Sequence, residues 1–434
     1  MISSVIGLGK LGLPFALFLA SKYQRVFCYD LNSEIINKLQ NNKSPYMEPK
    51  TSEYLKKFKK QLIITKDFSY LIEKSDISHL VLPTPSQKNN SFSNQYLINC
   101  LEKISFVLLK KRNKKHIINI TSTVMPGSCK NLFCKLLESR GLKKDKDFII
   151  TYNPHFIAQG TTIYNLENPD FILIGADSKN SNKLVTYYNK IYKKKIKILL
   201  LNTIEAEIAK ISINSYITTK ITFSNFISEV CENTKDVDAS KVLDAIGKDH
   251  RIGNSYLGVG TKYSGPCFPR DNRALNYFIK DKTKHSLPSF IDKINNTQTG
   301  RLIRIIKKVV RKEKLKKFNI GIFGLTYKDK TSIIKDSQSD DLIKQIRKKY
   351  KKNINVYDNN VIPSQEYIEN NSLSYFKNLD DFIKKTKILI LMYPNKKFLS
   401  KIKESRNKII IDCWNMTDER KTNLKIYKLG QNFI

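Results

Sequence analysis

The sequence predicts an α/β chain: two Rossmann-like, doubly wound domains joined by a long central helix and a helical middle domain. Three observations carry that prediction. Short β-branched runs alternate with helix-forming text at the start of the chain and again after residue 318, a pattern that builds parallel sheets with helices on their faces. Residues 202–232 contain neither Gly nor Pro and keep a helical period. The "CYD" at 28–30 returns as "VYD" at 356–358, a partial internal echo.

In the first series, strands are expected at "SSVIG", "RVFCYD", "SHLVLPTP", "KHIINITSTV", "DFIITYNP" and "DFILIG". In the second they are expected at "NIGIFGL", "NINVYD", "KILILMYP" and "KIIIDCW". The helix between the two series reads as a domain link that packs against a partner subunit. At 434 residues the chain exceeds one ordinary core. Boundaries at 1–200, 201–300 and 301–434 follow from these changes of pattern.

Composition removes several classes of function. Lys and Arg exceed Asp and Glu by 77 − 39 = 38, yet the lysines are spread along the whole chain with no basic stripe interleaved with aromatics. A biased alphabet on solvated faces explains the charge, so neither a nucleic-acid nor a membrane partner is expected. No apolar run approaches the ~20 residues that span a bilayer, and "MISSVIGLGKLG" lacks the features of a signal peptide. Seven scattered cysteines without a CxxC pair argue for reduced thiols, no metal site and a cytoplasmic location.

"VIGLGKLG" places Gly7, Gly9 and Gly12 as GxGxxG between a strand and a helix. Gly7 permits the turn, Gly9 lets a pyrophosphate approach the backbone, and Gly12 lets helix and strand pack closely. Asp30 ends the second strand eighteen residues after Gly12, where a carboxylate accepts from ribose hydroxyls and repels a 2′-phosphate. The cofactor predicted is NAD; a purely structural glycine turn is the other reading. Thr84 and Thr123 follow strands at the carboxyl ends, where ligands bind such sheets, although each also reads as a turn hydroxyl.

Cys267 lies in "SGPCFPRD", just before a helix that Pro269 opens. Exposed N–H groups at that helix start favour a thiolate, and Arg270 adds to the effect. Asp271 lies one turn on and can reach back to the same place. The other six cysteines are expected as buried, inert thiols. Lys210 and Asn214 are four residues apart on the central helix and share a face. They either hold an oxyanion or merely face solvent.

"GxGxxGLP", "STV…G", "NP.F…G", "AE..K...N", "RIG…YL…G.CFPRD" and "GLTYK..T" together resemble, in order, the UDP-glucose/GDP-mannose dehydrogenase family, and "CFPRD" is similar to its UDP-glucose branch. The resemblance covers essentially the whole chain. It implies an NAD-dependent, four-electron oxidation of a nucleotide sugar's C6 alcohol, with UDP-glucose to UDP-glucuronate for polysaccharide biosynthesis as the leading expectation. UDP-N-acetylhexosamine, GDP-mannose and a nucleotide-sugar binder with weakened catalysis are the alternatives. It implies an NAD domain, a central dimerisation domain and a UDP-sugar domain in a homodimer.

The resemblance also assigns residues. Cys267 matches the nucleophile that captures the intermediate aldehyde and carries it to a thioester. Lys210 and Asn214 match the pair that stabilises oxygen charge, and Asp271 matches the carboxylate that moves protons. Thr123 matches a residue beside the nicotinamide. Leu11, Thr84, Gln159, Arg270 and Lys335 match positions around the cofactor. Phe156, Ile157, Arg251, Tyr256, Leu257 and Lys328 match positions that hold the nucleotide sugar, the arginine reaching in from a neighbouring subunit.

Five positions depart from the family pattern. His155 and Gln159 stand where two glutamates are expected. A histidine with an ordinary pKa near ~6.5 could itself act as the base for thioester hydrolysis, or hydrolysis could be slow. Gln159 could still position a water or the cofactor carboxamide. Lys262 and Ser264 replace glycines, and Lys335 replaces an arginine, keeping the charge but losing the bidentate fork.

Overall fold

In the computed structural model all residues are described except 24, 112–114, 178–181, 193–195, 351–352, 418–423 and 433–434. The chain divides into two compact units, Met1–Ser212 and Ile213–Ile434. Both are built on parallel sheets, as the alternating text requires.

The first unit's sheet contains β1 (Ser3–Ile6), β2 (Val26–Tyr29), β3 (Leu62–Ile64), β4 (Ile77–Leu80), β5 (His116–Ile120), β6 (Phe148–Tyr152), β7 (Ile172–Ala176) and β8 (Ile198–Leu201). The spatial order is β3-β2-β1-β4-β5-β6-β7-β8, with only the β6–β7 pair antiparallel. The order reverses direction between β1 and β4, the switch point where such sheets open a ligand crevice. Several buried polar side chains inside the sheet pair with one another. Ser3 Oγ lies 2.9 Å from the Tyr187 hydroxyl, and His79 Nδ1 lies 2.9 Å from Asn119 Nδ2.

The second unit's sheet contains β9 (Ile320–Phe323), β10 (Ile354–Tyr357), β11 (Leu373–Tyr375), β12 (Ile388–Leu391), β13 (Ile409–Asp412) and β14 (Lys425–Lys428). Its order, β11-β10-β9-β12-β13-β14, is parallel throughout. The echo between the two halves is a shared hydrogen-bond pattern. Gly7 N–H donates to Tyr29 O and Gly324 N–H to Tyr357 O, both at 2.9 Å. Leu8 N–H donates to Asp30 at 2.6 Å, and Leu325 N–H to Asp358 at 2.7 Å.

Every strand missed by the sequence reading lies on a sheet edge: β3, β8, β11 and β14. Edge strands are covered on fewer sides, so they can be short and bury little even where their text is wholly apolar, as in β3 and β8. "LII", "LSY" and "KIYK" keep at most one fully buried residue each, and β8 keeps none, whereas β1, β4, β9, β12 and β13 are buried throughout.

The central helix runs Thr203–Glu232 without interruption, starting in the first unit and ending in the second. Its far end is fixed by a buried ion pair: Arg301 Nη2 and Nε donate to Glu232 at 2.6 and 3.0 Å, and Gly430 N–H donates to the same carboxylate at 2.8 Å. Arg301→Met strands a buried carboxylate, which typically costs about 3–5 kcal/mol. The expected outcome is a urea midpoint lowered to match; an unchanged midpoint would show that the pair carries no stability.

Candidate active site

Gly7 has φ +94°, and a Cβ there would lie 2.4 Å from Val81 O; a Cβ on Gly12 would lie 1.8 Å from Gly7 O. These two glycines are demanded by the protein's own packing. Gly9 is different, since its Cβ would meet nothing within 4 Å. That open face beside a helix start fits a pyrophosphate approaching the backbone. Asp30 accepts from Leu8 N–H at 2.6 Å and Asn32 N–H at 2.8 Å, which holds the carboxylate beside the turn with lone pairs left for ribose hydroxyls. Leu11 is the residue from which the helix Gly12–Ala20 starts.

Thr84 is buried, and its hydroxyl donates to Thr123 O at 2.7 Å. It therefore ties together the loops that leave β4 and β5, and the half-buried Thr123 stands at the carboxyl ends of those strands. Lys210 Nζ donates to His155 O at 2.9 Å and lies 4.5 Å from the Phe156 ring centre. Phe156 and Ile157 line a pocket with Asn165, Phe171 and Tyr188. Gln159 is half-buried close by in sequence.

His155 corrects the expectation of a base with an ordinary pKa. Its ring meets Phe15 edge-on at 4.4 Å, and its Nδ1 is buried without a hydrogen-bond partner. Burial first, and then the Lys210 charge, push its pKa down to about 3. The imidazole is neutral at ordinary pH and too weak a base to take protons readily.

In the second unit, Cys267 is the exposed cysteine, and the other six are buried. Burial pushes the buried thiols up, Cys28 and Cys100 to about 12 and Cys134 to about 11, so they stay protonated and unreactive. Cys267 is the N-cap of the helix Phe268–Ile279, with Pro269 in the first turn. Its carbonyl accepts from Asp271 N–H at 2.9 Å. Asp271 is 1% exposed. Its Oδ2 accepts from Asn214 Nδ2 at 2.6 Å, and its Oδ1 from Arg270 Nε and Nη2, both at 3.0 Å. Arg270, expected beside the thiol or the cofactor, thus spends its guanidinium on Asp271, because a buried carboxylate needs a charge partner.

Tyr256, at φ +61°, sets its ring 6.1 Å from that of Phe268, beside the cysteine. Leu257 is buried behind it. Arg251 is exposed and pairs with Asp249 of its own chain at 2.6 Å. Lys328 Nζ lies 5.7 Å from the Tyr327 ring centre, and the same ring crowds Gly265, where a Cβ would come within 2.5 Å. The cysteine loop and the 327–328 segment therefore adjoin, a contact that no sequence signal marked. Lys335 is exposed. The two replaced glycines have become ties, Lys262 to Asp341 and Ser264 to Gln338.

A doubly wound sheet with an open glycine face and a carboxylate ending its second strand fits a dinucleotide-binding domain of the NAD type. The chain belongs to the UDP-glucose/GDP-mannose dehydrogenase family. The family's NAD binding domain matches residues 1–196, its central domain 204–297 and its UDP binding domain 321–419. UDP-glucose 6-dehydrogenase of Rickettsia typhi is 31% identical over 346 residues, covering 78% of this chain and 76% of that protein. The Rickettsia prowazekii enzyme of the same name is 28% identical over 98% of each. GDP-mannose 6-dehydrogenase of Pseudomonas aeruginosa is 28% identical over 89% of this chain and 90% of that one. A UDP-glucose dehydrogenase structure from Pyrobaculum islandicum shares the fold at TM-score 0.85 and 23% identity, over 100% of this chain and 98% of that one. The protein is thus an NAD-binding nucleotide-sugar dehydrogenase. Among the described residues, no helix is long and apolar enough to cross a membrane, and no cluster of His, Cys, Asp and Glu could hold a metal ion.

The histidines make a pH prediction. His79, pushed down to about 3 by burial and then by His155, behaves as His155 does. The unfolded chain binds both protons near 6.5 and the folded chain only near 3. Stability is therefore complete above about 6.5 and is lost as pH falls below it, by up to about 1.4 kcal/mol per pH unit for each histidine. Imidazole NMR should show neither resonance moving between pH 8 and 5, with unfolding easier at pH 5 than at 7. A His155 titration near 6.5 would restore it as a base.

Proposed function

We propose that this enzyme oxidises the C6 alcohol of UDP-glucose to the carboxylate through a covalent thioester on Cys267. The balance is one alcohol, one water and two NAD⁺ to one carboxylate, two NADH and three protons. NAD⁺, when bound, supplies the hydride acceptor. The observation that carries the reading is Cys267, the one exposed thiol of seven, at the start of the helix whose Asp271 is bonded to Asn214.

In this reading the first oxidation gives a C6 aldehyde, and the Cys267 thiolate adds to its carbonyl carbon to form a thiohemiacetal. Lys210 and Asn214 donate to the oxygen as negative charge develops there. Loss of the second hydride leaves the thioester, and water cleaves its carbon–sulfur bond to release acid and thiol. Asp271 accepts and returns the protons, and Thr123 orients the reacting carbon. Phe156, Ile157, Tyr256, Leu257 and Lys328 hold the nucleotide sugar, with Arg251 reaching in from a neighbouring subunit. Holding aldehyde as a thiohemiacetal explains how two oxidations proceed without its release. The UDP-glucose assignment is supported by the "CFPRD" form and by the Rickettsia relatives.

Pure protein should reduce two NAD per sugar, and Cys267→Ala should lower acid formation on the order of 10³-fold or more. One NADH per sugar, with the cysteine dispensable, contradicts the reading. With His155 neutral and weakly basic, thioester hydrolysis is the slow step, and His155→Glu should raise kcat.

We also propose a homodimer built on the central helix, with 201–300 as the dimerisation domain. Tyr216, Phe223, Phe226 and Val230 are exposed at spacings of seven, three and four, a single apolar stripe on that helix. Phe226→Glu should weaken self-association about 30-fold or more by sedimentation. An unchanged mass at every concentration would place the interface elsewhere.

A further inference from the structure

Glu207 belongs to the "AE..K...N" stretch, yet none of the roles above uses it. It precedes Lys210 by three residues on the same helix, so the two side chains lie on adjacent turns of one face. It is 0% exposed. One carboxylate oxygen accepts from Gly127 N–H at 2.5 Å and the other from Cys129 N–H at 2.8 Å. Gly127 is left-handed, at φ +94°, and caps the helical turn Ser128–Cys134. Glu207 therefore supplies an anion to N–H groups that this turn leaves without partners of its own.

The segment that carries Thr123 is pinned from two sides. On the near side, Ser122 Oγ accepts from Leu82 N–H at 2.8 Å and donates to Leu82 O at 2.7 Å, and Thr84 bonds Thr123 O. Those ties lead to the end of β4. On the far side, Glu207 ties 127–129 to the helix of Lys210. We propose that Glu207 is a positioning residue for this reaction, fixing the Thr123 segment against the helix that carries Lys210. This rests on the roles given to Thr123 and Lys210 above.

A carboxylate does this in a way that an amide cannot. Two backbone donors converge on its two oxygens, and a glutamine would set its own NH₂ against one of them. Protonation has the same effect on a smaller scale, turning one oxygen into a donor. The groups facing Glu207 are Cys129, Asp177 and, one turn along the helix, Lys210. Burial chiefly, with Asp177 adding, raises its pKa to about 7, against the pull of the Gly127 and Cys129 hydrogen bonds. The tie therefore loosens as pH falls through about 7. The stability sign is opposite: a carboxylate whose pKa is raised above 4.5 on folding contributes most at low pH and loses that contribution as pH rises. Between pH 8 and 6.5, turnover should fall while this residue's contribution to stability grows, which a merely structural role would not produce.

The test is Glu207→Gln in the full chain. It should exchange the Gly127 and Cys129 amide hydrogens faster than wild type. Its kcat should fall by about 10- to 100-fold, the scale of a small misplacement of reacting groups, while NAD affinity stays within about 3-fold. The acid limb of kcat near pH 7 should disappear, and Glu207→Asp, which keeps the charge, should recover part of both. Unchanged protection of the two amides overturns the tie, and lost protection with wild-type kcat overturns the positioning role. Should Glu207→Gln not fold, Glu207→Asp with wild-type amide protection and kcat but no acid limb also overturns the proposal. The exchange measurement needs no substrate, so it judges the tie even if the UDP-glucose reading fails.

Discussion

Helical periodicity across Thr203–Glu232 is the constraint on which the other features of the site depend. Glu207, Lys210 and Asn214 are separated by three and four residues, the spacing of successive turns of a helix. Each is bonded to a different segment: Glu207 to the turn at Gly127 and Cys129, Lys210 to the carbonyl of His155, Asn214 to Asp271. A loop carrying the same three side chains would have to order each of them separately. One helix carries all three, and its thirty residues contain no Gly or Pro to interrupt it.

The two sheets show one local device used with different openings. In each, a glycine N–H bonds the carbonyl ending the neighbouring strand, and the following N–H bonds an aspartate just beyond it. The surroundings then diverge. In the first unit Gly9 has open space before it, and Asp30 retains acceptor capacity. In the second, the position of Gly9 is taken by Thr326, which is fully buried. There Asp358 is almost wholly buried and accepts from Leu325, Thr326 and Asn360 N–H groups. A carboxylate so engaged holds its own loop in shape and has little left for a ribose, consistent with a dinucleotide domain followed by a UDP binding domain.

Much of this was legible in the sequence because it rests on local rules. Buried central strands, the glycine turn with Asp30 and the helix start at Cys267 are each written within a few consecutive residues. Part of what was not legible depends on neighbours distant along the chain. The four edge strands are only three or four residues long and mostly unburied: β3 and β8 are wholly apolar but brief, and β11 and β14 interleave polar residues. His155 looked like a base until its ring was found against Phe15, 140 positions away, where burial lowers its basicity. The partners of Arg251 and Arg270 are near in sequence, Asp249 two residues before the one and Asp271 next to the other on its helix, but nothing in the text marked these pairs. The substitutions Lys262 and Ser264, unexplained as replaced glycines, acquire a purpose only through Asp341 and Gln338, more than seventy residues later.

The central claim is that oxidation passes through a carbon–sulfur bond to one particular cysteine. Acid quench of the enzyme within milliseconds of mixing with UDP-glucose and NAD, followed by peptide mass spectrometry, tests it directly. The account predicts that the peptide containing Cys267 gains the mass of a UDP-glucuronyl thioester, that hydroxylamine removes it, and that the other six cysteines stay unmodified. Steady NADH production with no adduct on Cys267 at any quench time, and the same rate after that thiol is alkylated, would contradict it.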